Sequence, residues 1–312
     1  MAAPEYPDLI QYATPFFVVL MAFELLVLRK QRHSQPYPQK DTLTSLAMGS
    51  GYVLLALAFG GFYYAMYHLA YSVRVHTFGF EWWVIVCCFV IDDFRYYWFH
   101  RFSHELRWMW ASHVNHHSSQ QYNLSTALRQ PWGFVLTGDV LLQLPLAFIG
   151  IHPNVIVLVG SANLLYQFWI HTEAIDKMPR WFEWLFNTPS HHRVHHGRNP
   201  RYLDANYAGT FMLWDRLFGT FVPEQSDEKV QYGLVKNIDT YNPLAVAFHE
   251  LSDIVKDVTK PHLSLRARLM YAFGPPGYSH DKSRQTVQQI KRERVKSQPE
   301  LAGKPGLPLL ET

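Results

Sequence analysis

Histidine is used to excess in this sequence. Of 312 residues 17 are His, and ten of these lie between His100 and His196 if His152 is set aside. His100 and His104 stand four apart, so a helix would carry both rings on one face. His113 with His116 and His117 spans one turn, and His192 with His195 and His196 repeats the spacing. His171 and His191 stand nearby. Neutral imidazole is a good ligand for iron, copper and zinc. Histidines packed this densely repel one another when protonated and lose solvation when neutral and buried. A metal resolves both. No His-Glu-x-x-His occurs: the first motif reads His100-Arg101-Phe102-Ser103-His104, and Glu105 follows its second histidine. Zinc hydrolases take three protein ligands plus water, so eight or nine nitrogens suit two ions better. Two irons with open positions would serve an oxidative role, binding O₂ to attack a C–H bond. His33, His68, His76, His249, His262 and His280 read as ordinary surface or core residues. His152, ahead of Pro153, reads as shaping a turn. His191 is the weakest ligand candidate, because adjacent side chains on a helix point about 100° apart.

These residues must be positioned by apolar elements. Hydrophobic residues make up 48% of the chain and charged residues 17%, against the roughly 25% charged of a typical soluble chain; that excludes extensive disorder or a coiled coil. The 10 Trp, 18 Tyr and 21 Phe suit membrane interfaces or lipid pockets. A net charge of +3 is too weak for a nucleic-acid partner, and the adjacent Cys87 and Cys88 cannot build a disulfide framework or a Cys-type zinc site. Residues 9–28 make one bilayer-length stretch, read as a retained anchor with an odd Glu24 near one end. Arg29, Lys30, Arg32 and Lys40 follow. Further apolar stretches run 43–71, 80–99 (carrying Asp92, Asp93 and Arg95) and 134–170, the last broken by Pro145 and His152-Pro153 into a hairpin of two short helices. The positive-inside rule puts the 29–41 loop in the cytoplasm and delivers both histidine-rich regions to that face.

The expected fold is therefore an all-α integral membrane protein, with about four hydrophobic segments, some re-entrant, capped by a cytoplasmic helical histidine-rich lobe. Residues 1–41 form the first span and basic loop, 42–280 the membrane domain with the di-metal site, and 281–312 a polar tail, loosely ordered or lying on the membrane surface. The membrane would be the endoplasmic reticulum in a eukaryote or the inner membrane in a bacterium.

The pattern His100-x₃-His104, His113-x₂-His116-His117, His192-x₂-His195-His196 resembles the fatty acid hydroxylase superfamily, which includes the sterol desaturases. Asn206-Tyr207-Ala208-Gly209 and the run Trp214-Asp215-Arg216-Leu217-Phe218-Gly219-Thr220 resemble that family's ending. HRFSHE at 100–105, HHSSQQYNLSTALRQ at 116–130, FWIHTEAI at 168–175 and NTPSHHRVHHGRNPRYLDANYAG at 187–209 are most similar to its alkylglycerol monooxygenase branch. The likeness runs from about residue 40 to 280. It implies a membrane-bound, O₂-using di-iron enzyme with a lipid substrate. In that branch the substrate is an ether lipid, hydroxylated beside the ether oxygen with tetrahydrobiopterin as electron donor. The branch also carries hydrophobic spans beyond the position of Tyr278, where this sequence is polar; shorter superfamily members of unassigned lipid substrate match it better in size. The resemblance assigns His100, His104, His113, His116, His117, His192, His195 and His196 as metal ligands and His171 as an additional one. Glu105, matching an acidic position beside the first motif, is the catalytic candidate, expected to hydrogen-bond a ligating imidazole. Asp93 reads as a support for the ligands or a partner of Arg95 or Arg101. Asn123, Ser125 and Arg129 could touch a head group or bracket a helix. Trp214, Asp215 and Arg216 should hold a closing helix. A desaturase would use the same site; a zinc-dependent membrane hydrolase is the alternative from another class.

Overall fold

The computed structural model describes residues 6, 9–31 and 35–310. His33, Arg32 and all but Tyr6 of the segment before Leu9 lie outside them. The regular elements of the described chain are helices: α1 (Leu9–Lys30), α2 (Gln39–Ser72), α3 (Trp82–Glu105), α4 (Arg107–His117), α5 (Leu124–Ala127), α6 (Phe134–Thr137), α7 (Asp139–Ile149), α8 (Pro153–Trp169), α9 (Arg180–Leu185), α10 (Pro189–His195), α11 (Leu213–Leu217), α12 (Pro243–Val258), α13 (Leu265–Phe273) and α14 (Val287–Ser297). Among the described residues there is no β-strand, only isolated bridges Phe186–Phe211 and Gly197–Tyr232.

Two helices, α1 and α2, are long and apolar enough to cross a bilayer, and little of either apolar stretch is buried. Phe16, Val19, Phe23 and Leu26 of α1 and Val53, Leu54, Leu57 and Leu69 of α2 face outward. A soluble core helix would bury such residues; here they read as lipid-facing. The 34 residues of α2 make a rod of about 51 Å, longer than the bilayer core. Its first turns are different in kind: Asp41, Thr44, Ser45 and Met48 are buried against the rest of the protein.

The third apolar stretch forms α3, but the helix carries Asp92, Asp93 and Arg95 within its body, and both aspartates are fully buried. Buried charges need partners: Arg95 binds Asp92 at 2.8 Å and Asp139 at 2.5 Å. The outer face of α3, with Trp82, Trp83, Val86 and Val90, stays exposed. The fourth stretch divides into α6, α7 and α8. With 11 and 17 residues, α7 and α8 reach about 17 and 26 Å, short of a 30 Å core. Gly150 divides them at φ 116°, where a Cβ would sit 2.2 Å from the His76 carbonyl oxygen, so only glycine fits. His152 starts α8 as the turn reading expected, its Nδ1 accepting from the Asn154 amide at 3.1 Å. A core of Tyr67, Val84, Cys88, Leu146, Ala147, Val155, Ile156 and Val159 joins α2, α3, α7 and α8.

The region read as a loose tail is folded. Thr286 and Gln289 form a capping box at the start of α14, which buries Lys291 and Val295. Leu307 is buried beyond it, and Gly306, at φ 83°, lies against the Arg201 carbonyl. Composition reads this segment as polar; long-range contacts order it.

Candidate metal centre

Four short pieces of chain bring the imidazoles together. The last turns of α3 carry His100 and His104. Leu106 is extended, and this one-residue break turns the chain so that α4 faces α3 with His113, His116 and His117. The end of α8 delivers His171, and α10 with its C-cap delivers His192, His195 and His196. Two groups result: His100, His104, His113, His117 and His195; and His116, His171, His192 and His196. Within each, the facing nitrogens lie within 4.8 Å of one another. The groups adjoin, with the His117 and His196 rings stacked at 4.4 Å. Both α4 and α10 feed both groups, because neighbours on a helix diverge while residues four apart share a face.

Three rings are aimed by backbone carbonyls. His100 Nδ1 donates to Tyr207 O at 2.8 Å, His195 Nδ1 to Ala205 O at 3.0 Å and His171 Nδ1 to Gln167 O at 2.8 Å. That leaves each Nε2 an unprotonated acceptor directed inward. His100 Nε2 and His113 Nε2 lie 2.9 Å apart, and His171 Nε2 is 3.1 Å from His116 Nε2 and 2.9 Å from His192 Nε2. The buried Nε2 atoms of His104, His195 and His196 have no partner in the protein. Orphaned, converging nitrogen acceptors are a cation's requirement, and two nitrogens at right angles about 2.1 Å from one ion would lie about 3 Å apart. Burial, reinforced by neighbouring imidazoles, holds His113, His116, His117, His192, His195 and His196 far below the ordinary histidine pKa. Burial also lowers His171 to about 4. The rings are thus neutral, as ligation requires.

The carboxylates near the site serve its scaffold. Asp215 accepts from the amides of Tyr207 and Ala208, both at 2.8 Å, and from Thr220 Oγ1 at 2.6 Å. Asp93 accepts from the Thr210 amide at 2.7 Å, the Phe211 amide at 3.0 Å, Trp214 Nε1 and Asn163 Nδ2. Neither Arg95 nor Arg101 is its partner. Asn206, at φ 56°, clasps the His191 and Val222 carbonyls. Together these residues shape the 205–211 loop whose carbonyls aim His100 and His195. Trp214 and Asp215 therefore do more than close the fold, while Arg216 binds the Trp184 carbonyl.

Glu105 does not reach an imidazole. Its carboxylate accepts from Arg101 Nε at 2.9 Å and is 40% exposed, because position 105 falls on the next face of α3 after His104. Asp204 is the acidic group beside the ligands, 3.7 Å from His104 Nδ1; its only sequence signal is its place just after the third histidine motif. Asn123 caps α5, with Ser125 bonded to it, and Arg129 is buried on Asp41 at 2.6 Å, Ser45 and Ser118. All three are brackets. Glu24, the oddity of the first span, accepts from the Leu124 amide at 2.8 Å, Thr172 Oγ1 and Tyr37, so α1 is tied to the residue after His171. His191 is buried but joins neither group, its ring against Phe221. Trp110 packs on His104 and Tyr122 on His196, each at 5.2 Å.

The family model for fatty acid hydroxylase matches residues 84–220, a span that contains all nine clustered histidines. The chain belongs to the fatty acid hydroxylase family, a family of iron-dependent oxidoreductases. It is 40% identical over 308 residues to the alkylglycerol monooxygenase of Xenopus tropicalis, covering 96% of this chain and 67% of the relative. It is 45% identical over 253 residues to that of Homo sapiens, covering 80% of this chain and 56% of the relative. An ornithine lipid hydroxylase of Rhizobium tropici is 28% identical over 155 residues, 49% of this chain and 46% of the relative. The chain thus spans between half and two thirds of the alkylglycerol monooxygenases it matches. No solved structure matches it.

Proposed function

We propose that this protein is a membrane-bound monooxygenase that hydroxylates a lipid C–H bond with O₂, using two iron ions held by the five- and four-histidine groups. The observation that carries the reading is the convergence of nine imidazoles into two adjoining groups. Bound iron supplies the redox chemistry: one oxygen atom of O₂ enters the C–H bond and the other leaves as water, with two electrons from an external donor. The chain's residues do the rest. Backbone carbonyls keep the Nε2 lone pairs aimed inward, and Trp110 and Tyr122 shield each group from water. The exposed apolar faces of α1, α2 and α3 let a lipid keep its chain in the bilayer.

The likeness to alkylglycerol monooxygenases favours an ether lipid. Hydroxylation of the carbon bonded to the ether oxygen gives a hemiacetal, whose C–O bond breaks to leave an aldehyde and a glycerol derivative. A reduced pterin such as tetrahydrobiopterin is the donor this likeness implies. The basic 29–41 loop favours a cytoplasmic site. Tyr37 reaches Glu24 beside Thr172, and Asp41 binds Arg129, so that loop and the histidine lobe share one side.

Incubation under ¹⁸O₂ tests the reaction. The expected product carries one labelled oxygen, in an alcohol or in an aldehyde trapped before exchange with water. A new double bond without label would reassign the chain as a desaturase, and cleavage without O₂ as a hydrolase. Purified protein should hold about two irons per chain, not zinc.

A further inference from the structure

Across α10 from the histidine groups lies a cavity of about 180 Å³ whose walls include Lys177, Arg180, Arg216, Trp184, His191 and Phe221. Glu183 and Glu224 also line it. Glu224 is paired with Arg193 at 2.7 Å, and Glu183, which accepts from the Met178 amide and Thr188, offsets one of the three cations, so the lining keeps a positive excess. None of the three cations has a carboxylate partner among the described residues. Lys177 donates only to the Glu224 carbonyl at 3.3 Å. Arg216 donates to the carbonyls of Trp184 and Glu183 and lies over the Phe221 ring at 3.9 Å. Arg180 is exposed at the start of α9 and makes no hydrogen bond or ion pair among the described residues. Three cations without an ion pair, set against the one unpaired carboxylate of Glu183, leave the lining with a positive excess that suits an anion.

The surroundings say where that anion comes from. Trp181 and Trp184 of α9 and Leu213 and Leu217 of α11 are exposed, Trp181 by 69%. Trp214 of α11 packs on Phe94 of α3 at 5.0 Å, so this patch prolongs the lipid-facing side of α3. Tryptophan beside Lys and Arg at the end of an apolar surface is the composition of a membrane–water interface, at the depth of lipid phosphates. We infer that the cavity is a site for the phosphate of a phospholipid head group, with Lys177, Arg180 and Arg216 as its cationic lining and Trp181 and Trp184 seated in the interface. This rests on the membrane reading and not on the iron.

The test uses the full chain, delipidated in mild detergent, with dioctanoyl phosphatidic acid, dioctanoylglycerol and inorganic phosphate as probes. Native mass spectrometry and the shift in unfolding temperature are the readouts. The phosphatidic acid should bind and stabilise the wild type, and dioctanoylglycerol should not. The double variant Lys177→Gln/Arg180→Gln should bind about tenfold or more weakly, at roughly 1 kcal/mol per lost cation. Both side chains are exposed, so its unfolding temperature without lipid should match the wild type's. Arg180→Gln alone, which breaks no hydrogen bond, gives the same comparison if the double variant folds poorly. Equal binding by wild type and variant would overturn the site. So would equal binding of dioctanoylglycerol. Displacement of the lipid by equimolar inorganic phosphate would overturn the lipid as occupant.

Discussion

A histidine becomes a useful ligand here only because its neighbours decide which nitrogen is bare. His100, His171 and His195 spend Nδ1–H on carbonyls, and burial keeps the clustered rings of α4 and α10 neutral. His104→Ala, His117→Ala and His195→Ala should each abolish lipid hydroxylation and lower bound iron from about two ions per chain toward one. Metal analysis of the purified variants checks this; full iron in any of them would remove that residue from the site. His191→Ala is the informative contrast. It neighbours His192 but belongs to neither group, so iron content should stay at the wild-type level.

At the scale of elements, the loop 205–211 matters as much as the helices that bear the ligands. Asp215 holds the Tyr207 amide, and the Tyr207 carbonyl holds His100. Asp215→Ala should therefore weaken iron binding by about 10- to 100-fold, the usual cost of losing a group that orients a ligand. Competition against a chelator would measure it, and an unchanged affinity would separate the loop from the site. On the other side Glu24 fastens α1. Glu24→Ala leaves the Leu124 amide, Thr172 and Tyr37 without their acceptor, at about 1–3 kcal/mol for each donor left buried and unsatisfied. The expected result is a lower unfolding temperature, read by thermal denaturation.

At the scale of the whole molecule, the C-terminal segment is latched to the helix that carries the second histidine motif. Asp257 binds Arg107 at the start of α4, at 2.7 Å, and Arg284 beyond α13, at 2.5 Å. Burial alone would raise the Asp257 carboxyl, but Arg284, Lys260 and Arg107 together hold it well below the usual range. A carboxyl depressed by folding contributes stability above its unfolded pKa, near 3.9, and loses it as pH falls toward the folded value. Residues 281–310 should thus stay protected at neutral pH and become protease-sensitive only below about pH 4. Asp257→Asn should expose them at pH 7. Equal protection of the variant at pH 7 would place the latch elsewhere.

Local spacing made the helical character, the two long apolar helices and the nine histidines that converge legible, because the period of a helix and the length of a bilayer crossing are written in consecutive residues. The turn at His152 was legible for the same reason. What depended on residues distant in the chain was decided by the tertiary structure alone. The division of the histidines into five and four depends on the angle at Leu106 and on how α10 meets α4. Asp93 was ambiguous in sequence because its four donors lie 70 to 121 residues away, and Glu105 was misleading because adjacency to His104 puts it on a different face. The order of the 281–310 segment comes from contacts with Asp257 and Arg201, which its own polar composition cannot reveal. Periodicity reports which face a residue occupies; only packing determines what that face meets.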